Sequence, residues 1–400
     1  MVLQTERKKR KIEFWEQVKP VWGKVQSSKT GKEERLVLVE HLYELVKDNI
    51  LTVANNGNGS RVLQWILRYK TCPDVVDVVL TNFNDLAKVV YAKHLILCIL
   101  KKHKDLVINA LKQSNIRSLV SSVVGSVVVD EIFAILNANQ RRTIIQMVYF
   151  SNLNDDLILK QQAQQRVHDL LEKSIKKGIL GHSILLQHVC FQYLSDFEDS
   201  IDGVPVVAIV HNQIGCKVAS KVINRMNTKE KAGLVSEFRT FATKLAEDQY
   251  AHVILLFVLW NQCSLEEAIK IVKRINIDIK NKYVKRVLEF LFVGPSSCHF
   301  SKDILTLINP VERDYSWLDA FRNIIGPEVI SQLKSSDWEH DNSLCIFGTS
   351  ACIHLKSDIC VSDAKLLGKI KRYSIKTGKV PENSSKENKI FIQNNIDSIK

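Results

Sequence analysis

The sequence predicts an all-α fold, an α-solenoid of short helical repeats, on three observations. Helix breakers are scarce, with 15 Gly and 7 Pro in 400 residues, too few for the turns of a β sandwich. Apolar residues recur at helical spacing in segment after segment, and period-2 alternation is rare. A pattern of small or polar, basic, Val or Leu, then Leu returns about every 34 residues, which marks stacked units that share one core.

Taken in order, the chain opens on residues 1–11, a basic N-terminal arm ending in Arg7-Lys8-Lys9-Arg10-Lys11. Such a run reads either as a nuclear-localisation or nucleic-acid patch or as a solvated terminus. Trp15 and Trp22 follow within Ile12 to Trp22. Two tryptophans so placed point to a cap helix packed on its neighbour. Ser27 to Lys32 is a polar joint, and Leu36 to Val53 has an amphipathic helical pattern.

A second helix is expected from Arg61 to Tyr69, behind the loop Asn55-Asn56-Gly57-Asn58-Gly59. Ser60 and Gln64 are four apart and point the same way on a helix, with Arg61 beside them. Val62, Leu63 and Ile66 then face inward. Two polar groups and a flat cation on an exposed face suit a nucleotide, the pair for a base edge and the guanidinium for a base face. The alternative is a plain loop and a solvated helix face.

The arrangement recurs. His94, Val127, His188, Lys217, His252 and Arg286 stand where Arg61 stands, and most steps fall in the low to mid thirties. The trios are Lys93/His94/Leu97, Ser126/Val127/Asp130, Gln187/His188/Phe191, Cys216/Lys217/Ser220, Ala251/His252/Leu255 and Lys285/Arg286/Glu289. A longer polar interval, with Asn152 to Asp156 and Gln161 to Gln165, separates the copies at 127 and 188. Beyond Gly294-Pro295, helical pieces are expected at Tyr315 to Ile325 and Glu328 to Leu333. The tail from Lys376 has few apolar residues and reads as disordered.

The net charge of +13 favours a polyanionic partner, nucleic acid before an acidic membrane surface. Nine cysteines, odd in number and with no Cys-x-x-Cys, read as a reduced intracellular set without a zinc site. A charged N-terminus without an apolar core gives no signal peptide. The longest apolar run, Val253 to Trp260, is far below the ~18 residues of a membrane span. No nucleophile elbow, zinc-protease motif, P-loop or dinucleotide fingerprint is present. The chain therefore reads as a non-enzyme, with no cofactor or metal.

Four passages resemble Pumilio (PUF) repeats, and more closely the nucleolar Puf-A/Puf-six branch. They are Phe14 to Lys19 with Lys32 to Arg35; Ser60-Arg61-Val62-Leu63-Gln64; Ala246 to Leu256; and Asn281 to Leu288. The resemblance implies Pumilio-type three-helix repeats over 12–295, with a cap helix and about seven recognisable repeats. It also implies a C-terminal helical module over 296–375, ahead of the polar tail 376–400. Nucleic-acid-binding residues would be Ser60, Arg61, Gln64, Lys93, His94, Cys216, Lys217, His252, Lys285, Arg286 and Glu289. Lys101, Lys102 and Lys104 would join Arg7 to Lys11 as a phosphate patch.

The implied partners are RNA (an rRNA precursor or an mRNA), double-stranded DNA and pre-ribosomal particles, in the nucleus and nucleolus. The implied roles are ribosome biogenesis, rRNA processing and translational regulation. Pumilio relatives read one base per repeat, but Leu97, Phe191 and Leu255 cannot hydrogen-bond a base edge. Binding is thus expected to follow charge and shape more than sequence. His94 and His252 read either as stacking or phosphate-donating groups or as inter-repeat histidines. The other reading of the whole chain is a HEAT- or armadillo-like scaffold gripping an acidic peptide; HEAT units are longer, at 40 residues or more.

Overall fold

The computed structural model describes residues 2–150, 158–296, 300–314 and 316–335, with Phe347 and Ala351. All regular structure among the described residues is helical, as the scarcity of breakers predicts. The chain divides into two compact units, Met1–Phe197 with Ile201–Gly203, and Glu198–Ser200 with Val204–Lys400. The expected boundary at 295/296 falls inside the second unit. The tail from 376 lies outside the described residues.

The first unit holds α1 (Val2–Gln26), α2 (Lys32–Val46), α3 (Ile50–Ala54), α4 (Gly57–Tyr69), α5 (Pro73–Thr81), α6 (Phe83–Leu86) and α7 (Ala92–Lys102). It continues through α8 (Lys104–Gln113), α9 (Ile116–Val120), α10 (Val123–Ala134), α11 (Ala138–Tyr149), α12 (Ile158–Lys176) and α13 (Ile184–Asp196). Short, long, long is the repeating unit: α3-α4-α5, α6-α7-α8, α9-α10-α11. In the second unit α14 (Val206–Ile209), α15 (Gln213–Arg225) and α16 (Thr228–Glu247) repeat it. Then come α17 (Ala251–Asn261), α18 (Leu265–Val272), α19 (Lys282–Val293), α20 (Lys302–Ile308) and α21 (Ser316–Ser335).

Second helices stack on second helices, α4 on α7, α7 on α10 and α10 on α13 in the first unit, α15 on α17 and α17 on α19 in the second. Each buries the same slots. Val62, Leu63 and Ile66 are fully buried as expected, and Leu95, Ile96 and Ile99, then Val128, Val129 and Ile132, follow them. No unit could cover this stripe alone, so the core is continuous from repeat to repeat within each unit.

Sequence also sets where helices begin and end. The third helices α11, α16 and α18 open on reciprocal capping boxes, Asn137 with Gln140, Asn227 with Glu230 and Ser264 with Glu267. Arginines satisfy the last carbonyls of other helices. Arg35 donates to Val25 O at 3.1 Å, Arg117 to Val148 O at 2.6 Å, Arg313 to Trp260 O at 3.0 Å and Arg322 to Phe292 O at 2.9 Å. Part of the chain's positive charge is therefore spent on helix ends.

Four local expectations are corrected. The Leu36 to Val53 pattern is two helices with a 3-10 turn at Lys47–Asn49 between them. The second helix begins at Gly57, four residues before Arg61, because Asn56 caps it there. Gln161 to Gln165 lies within α12 instead of a joint, while Asn152 to Asp156 lies outside the described residues. The two pieces expected on either side of Gly326-Pro327 are one helix, α21, running through Pro327. A proline removes one helical hydrogen bond; here Phe321, Ile325, Val329 and Leu333, all buried, carry one apolar stripe past it.

At the chain start, α1 is a cap helix as the tryptophans suggest. Trp22 meets Trp65 of α4 edge-on, with ring centroids 5.7 Å apart. Arg7 to Lys11 lie on the backbone of α1, which runs through the 11/12 boundary; their side chains lie outside the described residues.

Candidate nucleic-acid interface

Five of the second helices, α4, α10, α13, α15 and α19, start from a side-chain cap five residues ahead of the slot that Arg61 defines. Asn56 accepts from Asn58 N and Gly59 N, Ser122 from Gly125 N, Ser183 from Leu186 N, Asn212 from Gly215 N, and Asn281 from Tyr283 N and Val284 N. A short polar side chain there satisfies orphan amides and fixes the helix start. In α4 and α10, glycine three residues beyond the cap lets the helix sit on the preceding short one. A Cβ on Gly59 would lie 2.2 Å from Val53 O, and one on Gly125 2.5 Å from Leu119 O. Cap and glycine together aim the next two residues, one inward and one outward.

The inward residue is Ser60, and this corrects the expectation of an exposed polar pair. Ser60 is 1% exposed, and its hydroxyl donates to Tyr91 O of the next repeat at 2.7 Å. Gln64, half-buried, donates to Ser60 Oγ at 3.1 Å. Cys216 occupies the equivalent slot in the second unit and is also buried. Its thiol faces Tyr250 O at 3.5 Å and Val210 O at 3.3 Å, and burial pushes it up to about 12, so it remains a donor. In both repeats the first member of the trio stitches neighbours together and does not face solvent.

Two more expected contacts are turned inward. His252 is 5% exposed, donates from Nδ1 to Asp248 O at 3.0 Å and packs its ring on Tyr283 at 5.4 Å. Burial, with Arg286 nearby, holds its pKa below the usual histidine range. That places it as an inter-repeat histidine, since a neutral, enclosed ring offers no cation to a phosphate. Lys285 is 8% exposed, and neither it nor the half-buried Glu289 is free of partners.

The outward slot is divided: Arg61, His94 and Lys217 are exposed, Arg286 is half-buried and His252 is buried, while Lys93, in the position of Ser60, is half-buried. Among the described residues, Arg61, Lys93, His94 and Lys217 make no side-chain hydrogen bond or ion pair, so their donors are open. Lys101 and Lys104 are exposed at the joint between α7 and α8. Lys102 is drawn away from that patch, donating its ammonium to Leu67 O near the end of α4. Within the first unit, then, cations from two successive second helices face solvent with no protein anion beside them. Such groups can neutralise phosphates.

Two features of the second helices lie outside the repeat spacing. One is the cap residue, legible as Asn or Ser five positions before the slot in five repeats. The other is Asp130. A member of the trio at Val127, it accepts from Leu185 N at 2.9 Å and so caps α13 from α10. Among the described residues no cluster of three His, Cys, Asp or Glu is placed to hold a metal ion. No described helix is long and apolar enough to cross a membrane.

No protein-family model matches the chain. Among curated proteins it is similar to Pumilio homolog 24 of Arabidopsis thaliana, 24% identical over 344 residues, which are 76% of this chain and 53% of that protein. It is also similar to Pumilio homology domain family member 6 of Saccharomyces cerevisiae, 21% identical over 325 residues, 72% of this chain and 49% of that protein. The chain thus spans about half the length of the curated relatives it matches. Among solved structures, human Puf-A in complex with DNA superposes with a TM-score of 0.73 at 16% identity, covering 97% of each chain.

Proposed function

This chain is a Puf-A-like Pumilio-repeat protein, and from that premise we propose that it binds RNA and DNA through the outward slots of its second helices, with weak sequence preference. It is a non-enzymatic binding protein. One observation carries the reading: Arg61, His94 and Lys217 hold the same outward slot, exposed and, among the described residues, without an ion pair, in a chain of net charge +13. Weak preference follows because the inward members that would read base edges are engaged elsewhere. Ser60 and Cys216 bond the next repeat, Gln64 bonds Ser60, and Asp130 caps α13. Phosphate contacts give affinity without sequence information.

In the cell we assign it to ribosome biogenesis and rRNA processing in the nucleolus, on an rRNA precursor within pre-ribosomal particles. Repression of mRNA translation is a side role. These assignments rest on the Puf-A likeness and on the basic run Arg7 to Lys11. Crosslinking of the tagged protein to cellular RNA tests them: recovery of pre-rRNA is the expected result, and recovery of mature cytoplasmic RNA alone overturns them.

The binding itself is tested by salt. Affinity for both RNA and DNA falls steeply between ~50 and ~200 mM salt. Arg61→Ala and Lys217→Ala each weaken binding to every nucleic acid and lower the salt slope by roughly one unit, with melting unchanged. A flat salt response, or full retention of affinity by both variants, overturns the reading. Preferential capture of an acidic peptide would favour the scaffold reading in its place.

A further inference from the structure

Tyr91 is 53% exposed and Val90 beside it 54%. Tyr91 is nonetheless held from two sides. Its carbonyl accepts the Ser60 hydroxyl at 2.7 Å. Its ring lies so close to the start of α4 that a Cβ on Gly57 would stand 3.2 Å from both Cδ1 and Cε1. Glycine at 57 thus lets the ring rest against the backbone of the preceding repeat. Among the described residues the Tyr91 hydroxyl has no hydrogen-bond partner, so the ring is not positioned for that group. Basic side chains flank it on both helices: Arg61 is one turn beyond Gly57 on α4, and His94 three residues beyond Tyr91 on α7. Lys93 adjoins His94.

We propose that Tyr91 is a stacking platform for one unpaired nucleobase, with Arg61, Lys93 and His94 taking the phosphates on either side of it. This deepens the binding reading above and rests on it. A braced, half-exposed aromatic ring with exposed basic side chains on the adjoining helix turns has the elements of single-strand recognition: a π face that tolerates any base, and basic groups that follow the backbone. A paired base cannot use the ring, because its faces are already covered in the duplex. Tyr91 therefore makes the face prefer unpaired segments without reading their sequence. Val90 extends the apolar shelf beside the ring.

The test compares a labelled oligouridine strand with a blunt RNA duplex of matching charge, by fluorescence anisotropy at two salt concentrations. Tyr91→Leu is expected to bind the single strand roughly 5- to 100-fold more weakly, with the duplex affinity and both salt slopes unchanged. Tyr91→Phe, which keeps the ring, is expected to restore wild-type affinity. Melting of each variant excludes unfolding as the cause of any loss. Irradiation of a 5-iodouridine strand on the wild type is expected to crosslink the tryptic peptide containing Tyr91. If the wild type binds both probes and Tyr91→Leu weakens neither, or both alike, the stacking platform is overturned while the binding reading stands. If the wild type binds neither probe, both fall.

Discussion

Ser60 and Arg61 are adjacent in the chain and do opposite things. The hydroxyl of Ser60 is buried and spans the gap to the next repeat, whereas Arg61 is exposed and, among the described residues, its guanidinium has no partner. Ser60→Ala removes a buried donor and leaves both Tyr91 O and the Gln64 amide without their partner. The expected loss is about 1–2 kcal/mol of stability, read by denaturant unfolding. The salt slope of nucleic-acid binding stays unchanged, because no charge is lost. Arg61→Ala should do the reverse, and a stability loss there without a binding loss would reassign the arginine to packing of its stem. Sequence spacing could place both residues on one helix turn. It could not say which of two neighbours turns inward, because Gly59 and the preceding short helix decide that, and their approach is a tertiary fact.

At the scale of the element, the start of α4 is set by two small residues, the cap Asn56 and Gly59. Gly59→Ala would push a methyl group to 2.2 Å from Val53 O, a backbone atom with little room to yield. Several kcal/mol of destabilisation is expected, in the range of severe overpacking, about 1–3 or more. Gly57→Ala meets only the edge of the exposed Tyr91 ring at 3.2 Å and should be mild, so comparing the two melting temperatures separates backbone clash from side-chain displacement. Near-equal losses would contradict this assignment. The helices themselves were legible from apolar spacing, and the buried slots at Val62, Leu63 and Ile66 fell where that spacing put them. Boundaries were less legible. The cap Asn56, not the first apolar residue, sets where α4 starts, and α21 survives Pro327 because its buried stripe continues beyond the proline. The inward fate of His252 was hidden for a related reason. Every residue from Ala251 to Trp260 is buried, so α17 has no solvent face for any periodicity to reveal.

At the scale of the whole molecule, the two units carry ionisable groups that respond to acid in opposite directions. In the first unit, burial pushes the Asp130 carboxyl up to about 6, against the hydrogen bonds from Leu185, Ser183 and Ile184 that favour its charged form. Between that value and the ordinary aspartate range the folded chain holds a proton that the unfolded chain has released. The stabilising contribution is therefore complete at low pH and is lost as pH rises through about 6. In the second unit burial keeps His252 below its ordinary 6.5, and Arg286 adds to the effect. Here the unfolded chain takes the proton first, so the contribution is present above 6.5 and is lost as pH falls below it. Lowering pH from 7 toward 5 should strengthen the first unit through Asp130 and weaken the second through His252. Hydrogen exchange resolved by peptide can follow α10 and α13 separately from α17 and α19. Protection should rise in the first pair relative to Asp130→Asn and fall in the second pair relative to His252→Gln. The asparagine keeps an oxygen to accept from Leu185 N but cannot titrate, so its protection should follow pH less steeply than that of the wild type. If both units lost protection in parallel, and neither substitution changed the slope, other carboxylates would govern the acid response and these two buried groups would be bystanders.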